Sequence, residues 1–486
     1  MGWWPWSKRR TKAKGLWPVR FLRAKFDSAQ TTPENRRHWA NADGLSADAA
    51  ANPEVRRVIR NRARYEVANN AYARGIVLTL ANDVVGTGPR LQMLLADGAD
   101  RDTNQAVERA FAAWARAVDL PGKLRTMRMA RAQDGEAFAL LFSNDGLDSP
   151  VTLDLRLIEA DQVTTPDLAM AKQNAVDGIV QDAFGNPQAY HVLKEHPGGR
   201  NTGLGLEYDT VPAEAMIHWF RTDRPGLSRG LPDILPALPL FAQLRRYTLA
   251  VLAAAESAAD IAVFMKTMAP PGGEAAEVEP MATMEFEPNM AIFGPEGWEP
   301  SQIKAEQPAT GYAEFKHEIL NEIARCLNMP FNIAACNSSG YNYASGRLDH
   351  QTYFKSIRVE QSHLEAVALD RILDAWMEEA VRVFDLPGVD AWPHQWFWDG
   401  REHVDPAKEA MAQERRLVNN TTTLAMEYAK RGLDWEEQLR QRAKEKRLME
   451  ELGLTAKEAV PAERSPAKGD EQDDEDPGKE TSRAAA

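Results

Sequence analysis

The chain has 486 residues, 44% apolar and 27% charged, an ordinary globular composition with material for a large core and roughly three domains at about 150 residues each. Two cysteines, Cys326 and Cys336, exclude a disulfide scaffold and every Cys-based zinc pattern, and they suit a reducing compartment. The balance of 58 Lys+Arg against 71 Asp+Glu, a net −13, excludes a general nucleic-acid-coating protein.

The first segment, Lys8 to Lys25, holds eight Lys/Arg and no acid, with Trp3, Trp4, Trp6 and Trp17 before and within it. Such a run reads as a mobile basic tail or as a docking arm for a polyanionic partner with tryptophan anchors. It lacks the apolar core of a signal peptide, and the residue at position 6 does not suit myristoylation. Asn52 to Val84 reads as a helix pair, with Pro53 at a first helical position and Val55, Val58, Ile59, Arg62 and Tyr65 in helical spacing. Gly86-Thr87-Gly88-Pro89 breaks it and feeds a strand, Arg90 to Leu95. An amphipathic helix over 103–118 carries Val107, Phe111 and Trp114 on one face. Short apolar runs follow at 137–142, 151–158, 178–181, 189–193 and 215–220, divided by the turns Asn144-Asp145-Gly146, Gly185-Asn186-Pro187 and Pro197-Gly198-Gly199.

After Pro239 the pattern becomes helical over 240–260. The apolar stretch 247–265 is no membrane span, because Glu256 and Asp260 would each cost about 3 kcal/mol at a bilayer centre. A Pro/Gly-rich insert, 261–308, contains two extended runs, Met290 to Phe293 and Gln302 to Ala305. Residues 311–327 place Tyr312, Phe315, Ile319, Ile323 and Leu327 on one helical face. A polar loop, Asn332 to Arg347, precedes a helix from about Leu348 to Phe384 whose length, roughly 50 Å at 1.5 Å per residue, rarely serves a compact enzyme. A last helical stretch, 406–452, breaks at Arg431-Gly432-Leu433-Asp434. The tail from Glu463 is rich in Pro, Lys and acids and is expected to be disordered.

The search for chemistry finds little. Gly226-Leu227-Ser228-Arg229-Gly230 has the G-x-S-x-G form, but Asp223-Arg224-Pro225 precedes it where a nucleophile elbow needs a strand. Gly203 and Gly205 lack the third glycine of a dinucleotide site, and Gly122-Lys123 is followed by Leu124, which excludes a P-loop. His317-Glu318 begins like a zinc-protease helix, yet Asn321 stands where the second histidine belongs; His350 and His363 are too far apart to ligate as an i,i+4 pair. Asp134-Gly135-Glu136 is the one tight acidic pair of the β-rich region, and its glycine suggests a turn. No catalytic, cofactor-binding or metal residue is assigned, and no enzyme activity is expected.

Several segments together resemble the lambda-type family of tailed-phage portal proteins: 69–75 with 81–92, Arg131-Ala132-Gln133-Asp134-Gly135-Glu136-Ala137 with 158–163, 217–220 with 224–230, Tyr341-Asn342-Tyr343-Ala344-Ser345-Gly346-Arg347, and 396–398 with 405–409 and 432–437. Each is weak alone, but they are collinear with the family over about 50–450. The resemblance implies an α+β portal-type fold assembled as a ring, usually of twelve, at one capsid vertex. Double-stranded DNA would pass through it, with the terminase large subunit, a head–tail adaptor and the major capsid protein as partners. Assembly would occur in the host bacterial cytoplasm, without a membrane. It also implies a layout: basic arm 1–32, β-rich wing 33–239, stem helix 240–260, clip 261–308, second stem helix 309–328, tunnel loop 329–347, long wing helix and return 348–404, crown 405–452 and acidic tail 453–486. Within it, Asn337, Ser338, Ser339, Asn342 and Ser345 are the candidates for meeting DNA, and Tyr312, Phe315, Ile319 and Ile323 for ring assembly. A serine hydrolase using Ser228 and a DNA-binding scaffold using the basic arm are the alternatives.

Overall fold

A computed structural model of the chain describes residues 32–33, 35–95, 101–165, 175–199, 207–260, 264–267, 298–301, 311–386, 392–400, 406–429, 431 and 433–454. The basic arm from Lys8 to Lys25, the runs Met290–Phe293 and Gln302–Ala305, the Gly203–Gly205 pair and the tail from Glu463 lie outside them. Ser46 caps α1 (Ala47–Ala50), and Asn52 caps α2 (Pro53–Asn69) by accepting the Val55 N–H. Asn70 ends α2 and starts α3 (Ala71–Val85), its side-chain oxygen accepting from the Tyr72 and Ala73 N–H groups, the common use of a short amide on orphan helix donors. Gly86 and Gly88, both at positive φ, turn the chain into β1 (Arg90–Met93). Helix α4 (Arg101–Ala117) buries Val107, Phe111 and Trp114, the face their spacing predicts. Helix α5 (Leu120–Asp134) is not announced by periodicity, because Arg128 and Arg131 are buried on it beside Leu124 and Met127; buried cations hide an apolar stripe.

Gly135, at φ 94°, ends α5 and begins β2 (Glu136–Ser143), which pairs with β3 (Leu153–Ile158) as an antiparallel hairpin. Strands β4 (Ala175–Val176), β5 (Ile179–Gln181), β6 (Pro187–Leu193) and β7 (Tyr208–Pro212) form an antiparallel meander. Only Val211 of β7 is buried, so that strand carries almost no alternation for the sequence to show. Strand β8 (Met216–Phe220) returns to pair with β2, giving the order β3–β2–β8. Phe138, Ile158 and Met216 of this sheet pack against Ile179, Tyr190, Val192 and Val211 of the meander.

Helix α6 (Leu238–Asp260) leads to the antiparallel pair β9 (Phe264–Thr267) and β10 (Trp298–Ser301). After α7 (Tyr312–Cys326) and the single turn α8 (Phe331–Ala334), the chain enters α9 (Tyr343–Leu364). A π-helical turn, Glu365–Leu369, joins it without a break to α10 (Asp370–Val383). The combined helix is about 60 Å long at 1.5 Å per residue. It starts at Tyr343, ahead of the expected Leu348, with Gly346 inside the first turn, where a Cβ would lie 2.7 Å from the Tyr341 ring. Tyr353, Ile357, Leu364, Ala368, Ile372 and Trp376 all enter the main core, with Leu80, Val84, Leu124 and Trp219. Strand β11 (His394–Phe397) pairs with β1. Helices α11 (Pro406–Val418), α12 (Leu424–Ala429) and α13 (Trp435–Glu451) follow, the last capped by Asp434 as the sequence suggests. The extra break near Asn420, at φ 54°, was not expected. Among the described residues no helix is long and apolar enough to cross a membrane.

The sheet and the meander meet at a buried ion-pair network centred on Arg229 and Glu136. Arg229 is fully enclosed; its Nε donates to Glu136 Oε2 (2.8 Å) and its Nη2 to Glu136 Oε1 (2.6 Å). The remaining donors reach the carbonyls of Ala160 and Val163 and both oxygens offered by Asp177. His218 and Arg60 complete the shell around Glu136 at 3.1 and 3.3 Å. Burial alone would push the Glu136 carboxyl up, but the Arg229 charge and the hydrogen bonds from His218 and Arg229 outweigh it and hold the carboxyl well below its usual range. Removing one partner of such a pair leaves an uncompensated buried charge. Glu136→Ala is therefore expected to cost about 3–5 kcal/mol in urea unfolding.

Candidate functional site

The loop between α8 and α9 is built from residues with no charge: none occurs from Phe331 to Gly346. Pro330 sets the start of α8, and Cys336 and Gly340 take left-handed backbone, φ 50° and 81°, to turn the chain. Asn337, Ser338, Ser339 and Asn342 are exposed. Asn337 Oδ1 accepts from both the Ser339 N–H (2.9 Å) and its hydroxyl (2.7 Å), so this side chain organises the turn. The Ser345 side chain lies outside the described residues, although its backbone belongs to α9. The expected loop over 329–347 is thus shorter, with helix at both ends.

Both flanks of the loop are anchored. On one side the His317 ring lies 3.9 Å from the Phe331 ring, and Asn332 bonds His350 (3.0 Å). On the other, Tyr341 donates to Asp349 Oδ2 (2.9 Å), and the buried Tyr353 donates to Asp83 Oδ2 (2.6 Å). Further along α9, Arg128 of α5 clamps Glu360 through two donors, 2.8 and 3.2 Å, and reaches Asp233 Oδ2 at 2.9 Å. Burial would raise the Asp233 carboxyl, yet Arg128, Arg131 and Arg221 hold it below its ordinary value. The result is a rigid helix carrying short amides and hydroxyls at its entrance, groups able to hydrogen-bond phosphate without a fixed cation.

The four ring-assembly candidates separate. Phe315 is 47% exposed, and Tyr312 and Ile319 are half-buried, whereas Ile323 is 1% exposed. Ile323 belongs to the chain's own core with Leu320 and Ala324, so its helical face continues inward and it is not available to a neighbour. Spacing alone cannot distinguish the two uses of one stripe.

Ser228 is no activated nucleophile in this setting. Its hydroxyl donates to Asp48 Oδ2 (2.8 Å), its N–H to Asp48 Oδ1 (2.8 Å), and it accepts from Gln181 Nε2 (3.1 Å). Its motif instead delivers Arg229 to Glu136, and a Cβ on Gly230 would lie 2.0 Å from the Gly135 carbonyl oxygen. Among the described residues one His–acid group converges, Glu159, Asp161 and His196. Its Nδ1 accepts the Gly198 N–H (3.0 Å), which places the proton of a neutral ring on Nε2, facing the carboxylates. Arg64 already serves both acids, and the arrangement is an ion cluster unsuited to a cation.

A cleft of about 1470 Å³ separates β1 and α4 from the start of α13. Glu108 accepts the Met93 N–H there (2.7 Å). Burial, then the nearby Asp434, Glu437 and Glu436, push its carboxyl up to about 7 against that hydrogen bond. A raised carboxyl contributes stability below its unfolded value near 4.5 and loses it as pH rises through 7. Glu108→Gln is expected to raise the melting temperature at pH 8 and to leave it nearly unchanged at pH 5, measured by calorimetry.

The family model for phage portal proteins of the lambda family matches residues 33–361, and the chain belongs to that family. It is similar to a probable portal protein of Halomonas phage phiHAP-1, 26% identical over 426 residues, covering 82% of this chain and 81% of the relative. It is also similar to portal protein B of Escherichia phage lambda, 22% identical over 486 residues, covering 84% and 86%. A chain in the virion of a native gene transfer agent particle aligns over 77% of this chain and 92% of its own length, at 12% identity and a TM-score of 0.45. Its function is that of a phage portal protein, a family of structural components, at the capsid vertex. The hydrolase and scaffold readings find no support.

Proposed function

We propose that copies of this chain close into a ring, of twelve by the habit of the family, with the 335–342 turn facing double-stranded DNA in the channel. What supports the reading is the uncharged, exposed turn held at the entrance of a clamped helix. Lys or Arg there would release counterions on every phosphate contact and hold DNA in place; Asn337, Ser338, Ser339 and Asn342 let it slide, and Ser345 follows them in the sequence. Helices α6 and α7 take the part of the paired stem, β9 and β10 with the rest of 261–308 the clip, α9 to α10 the wing helix and α11 to α13 the crown. Leu249, Leu252 and Phe315 on the stem pair are 59%, 54% and 47% exposed, and in this reading a neighbouring copy covers them. The terminase large subunit and a head–tail adaptor meet the clip, the major capsid protein meets the wing, and assembly takes place in the host bacterial cytoplasm.

Removing Asn337 to Gly340 tests the channel assignment. Normal rings with shortened or poorly retained genomes are expected in assembled heads; full-length packaging would count against it. Leu252→Asp with Phe315→Asp is expected to leave folded monomers by light scattering and circular dichroism. Ile323→Asp should instead unfold the chain, because the new carboxylate is buried without a partner at a cost of several kcal/mol.

A further inference from the structure

We infer that α6 of one copy lies against α7 of the next, with Arg246 set between Glu314 and Glu318 and Leu249 against Phe315. The inference rests on the ring reading above and names which surfaces meet in it. Glu314, Glu318 and Glu322 stand exposed at i, i+4 and i+8 of α7, on one face of the helix. Carboxylates four residues apart on a helix repel one another. Lys316, the one lysine of α7, does not relieve them, because it is turned over the rings of Tyr72 (5.0 Å) and Tyr312 (5.7 Å). His317 meets Glu318 at 3.2 Å, and Arg325 follows only in the last turn. The face is acidic, and a cation from outside the helix would relieve it.

Helix α6 offers one. Its only cations are Arg245 and Arg246. Arg245 is engaged within the chain, by Glu66 (3.2 Å) and by the Tyr65 ring (4.9 Å). Arg246 is exposed, on the side of α6 turned away from α7. Tyr247 and Thr248 make the contacts with α7, through the rings of Tyr312 and Phe315 and the Tyr312 hydroxyl. The opposite face presents Arg246, Leu249, Ala250 and Ala253, all exposed, at i, i+3, i+4 and i+7. No acid lies among them, and the alanines let another helix come close.

The contacts inside one copy also fix heights. The Tyr247 and Phe315 rings lie 4.7 Å apart, and Tyr312 donates to Thr248 Oγ1 at 3.4 Å. Residues 246–249 of α6 are therefore level with the first turns of α7. In a ring whose axis runs along the stem pair, rotation carries a residue sideways to the neighbour and leaves its level unchanged. At that level α7 shows Glu314, Phe315 and Glu318, all exposed. One cation then faces two carboxylates, and Leu249 faces Phe315. Two unlike patches meeting between copies make a head-to-tail contact, which closes into a ring when the rotation permits. A stable interface buries about 800 Å² per partner, so this contact is one part of a wider surface.

The test uses the full chain, first shown to form rings by electron microscopy, with the folding of each variant checked by circular dichroism. Arg246→Glu is expected to raise the concentration of half-dissociation by about tenfold or more at low salt, because like charges then face each other across the contact. Glu314→Arg with Glu318→Arg should do the same, and both effects should shrink in about 1 M salt. Joining all three substitutions in one chain re-forms the contact with its charges exchanged and is expected to restore assembly. Rings that tolerate both reversals, or a combined variant that assembles no better than either reversal, overturn the contact and leave the ring reading in place. A reversal that unfolds the chain overturns it too, since these side chains would then belong to the fold of a single copy. No rings from the unsubstituted chain overturn both.

Discussion

The bidentate pair between Arg229 and Glu136 fixes the relative position of three segments far apart in sequence. Glu136 begins β2 immediately after the glycine that ends α5, and it also accepts the Gly230 N–H (3.1 Å). Arg229 in turn draws in the carbonyls of Ala160, Val163 and Asp177, so the meander is hung from the same guanidinium. A buried salt bridge gains little over a well-packed apolar cluster because desolvating both charges offsets their attraction. Its directionality is what an apolar cluster lacks: the fork-shaped donor accepts one arrangement of carboxylate and carbonyls. His218, stacked between Phe138 and Phe220 at 4.2 and 4.4 Å, keeps water from the pair.

The same device recurs where the long helix crosses the body. Arg128 joins α5 to Glu360 and Asp233, and Arg131 lies close by with its guanidinium 5.1 Å from the Trp219 ring. These arginines sit three apart on one helix, a spacing that aims both at α9. The 335–342 turn between these anchored elements is short and uncharged, shaped by Asn337 and tied to α9 through Tyr341. For a portal, this separates two demands. Charge is concentrated in the buried frame while the exposed 335–342 turn carries none; in the proposed channel reading, cations there would make each phosphate contact strong and salt-dependent.

Surfaces left open by the chain follow a pattern. Helices α6 and α7 expose Leu249, Leu252 and Phe315 while Leu244, Leu320 and Ile323 enter the core, and Phe184 stands 91% exposed on the turn between β5 and β6. None of these is completed within the chain.

The sequence by itself determined the starts of α2 and α13, the core stripe of the long helix and the uncharged loop, and it pointed to the family. Pro53, Asn52 and Asp434 act on groups within a turn of themselves, and Tyr353 to Trp376 repeat at a spacing any helix must bury on one side, so local order suffices to reveal them. Tertiary structure alone decided the rest. Helix α5 was hidden because its inward positions include arginines whose partners, Asp233 and Glu360, come from elsewhere in the chain. The pairing of β1 with β11 joins segments about 300 residues apart and has no local mark. Gly226 to Gly230 read as a structural turn of G-x-S-x-G form, and only the tertiary structure showed that it delivers Arg229 to Glu136. Ile323 and Phe315 share one stripe, and only the packing of α7 against its neighbours turns the first inward and leaves the second outside. Short-range capping and periodicity are encoded within a few residues; the burial of a charge depends on which distant partner is brought to it.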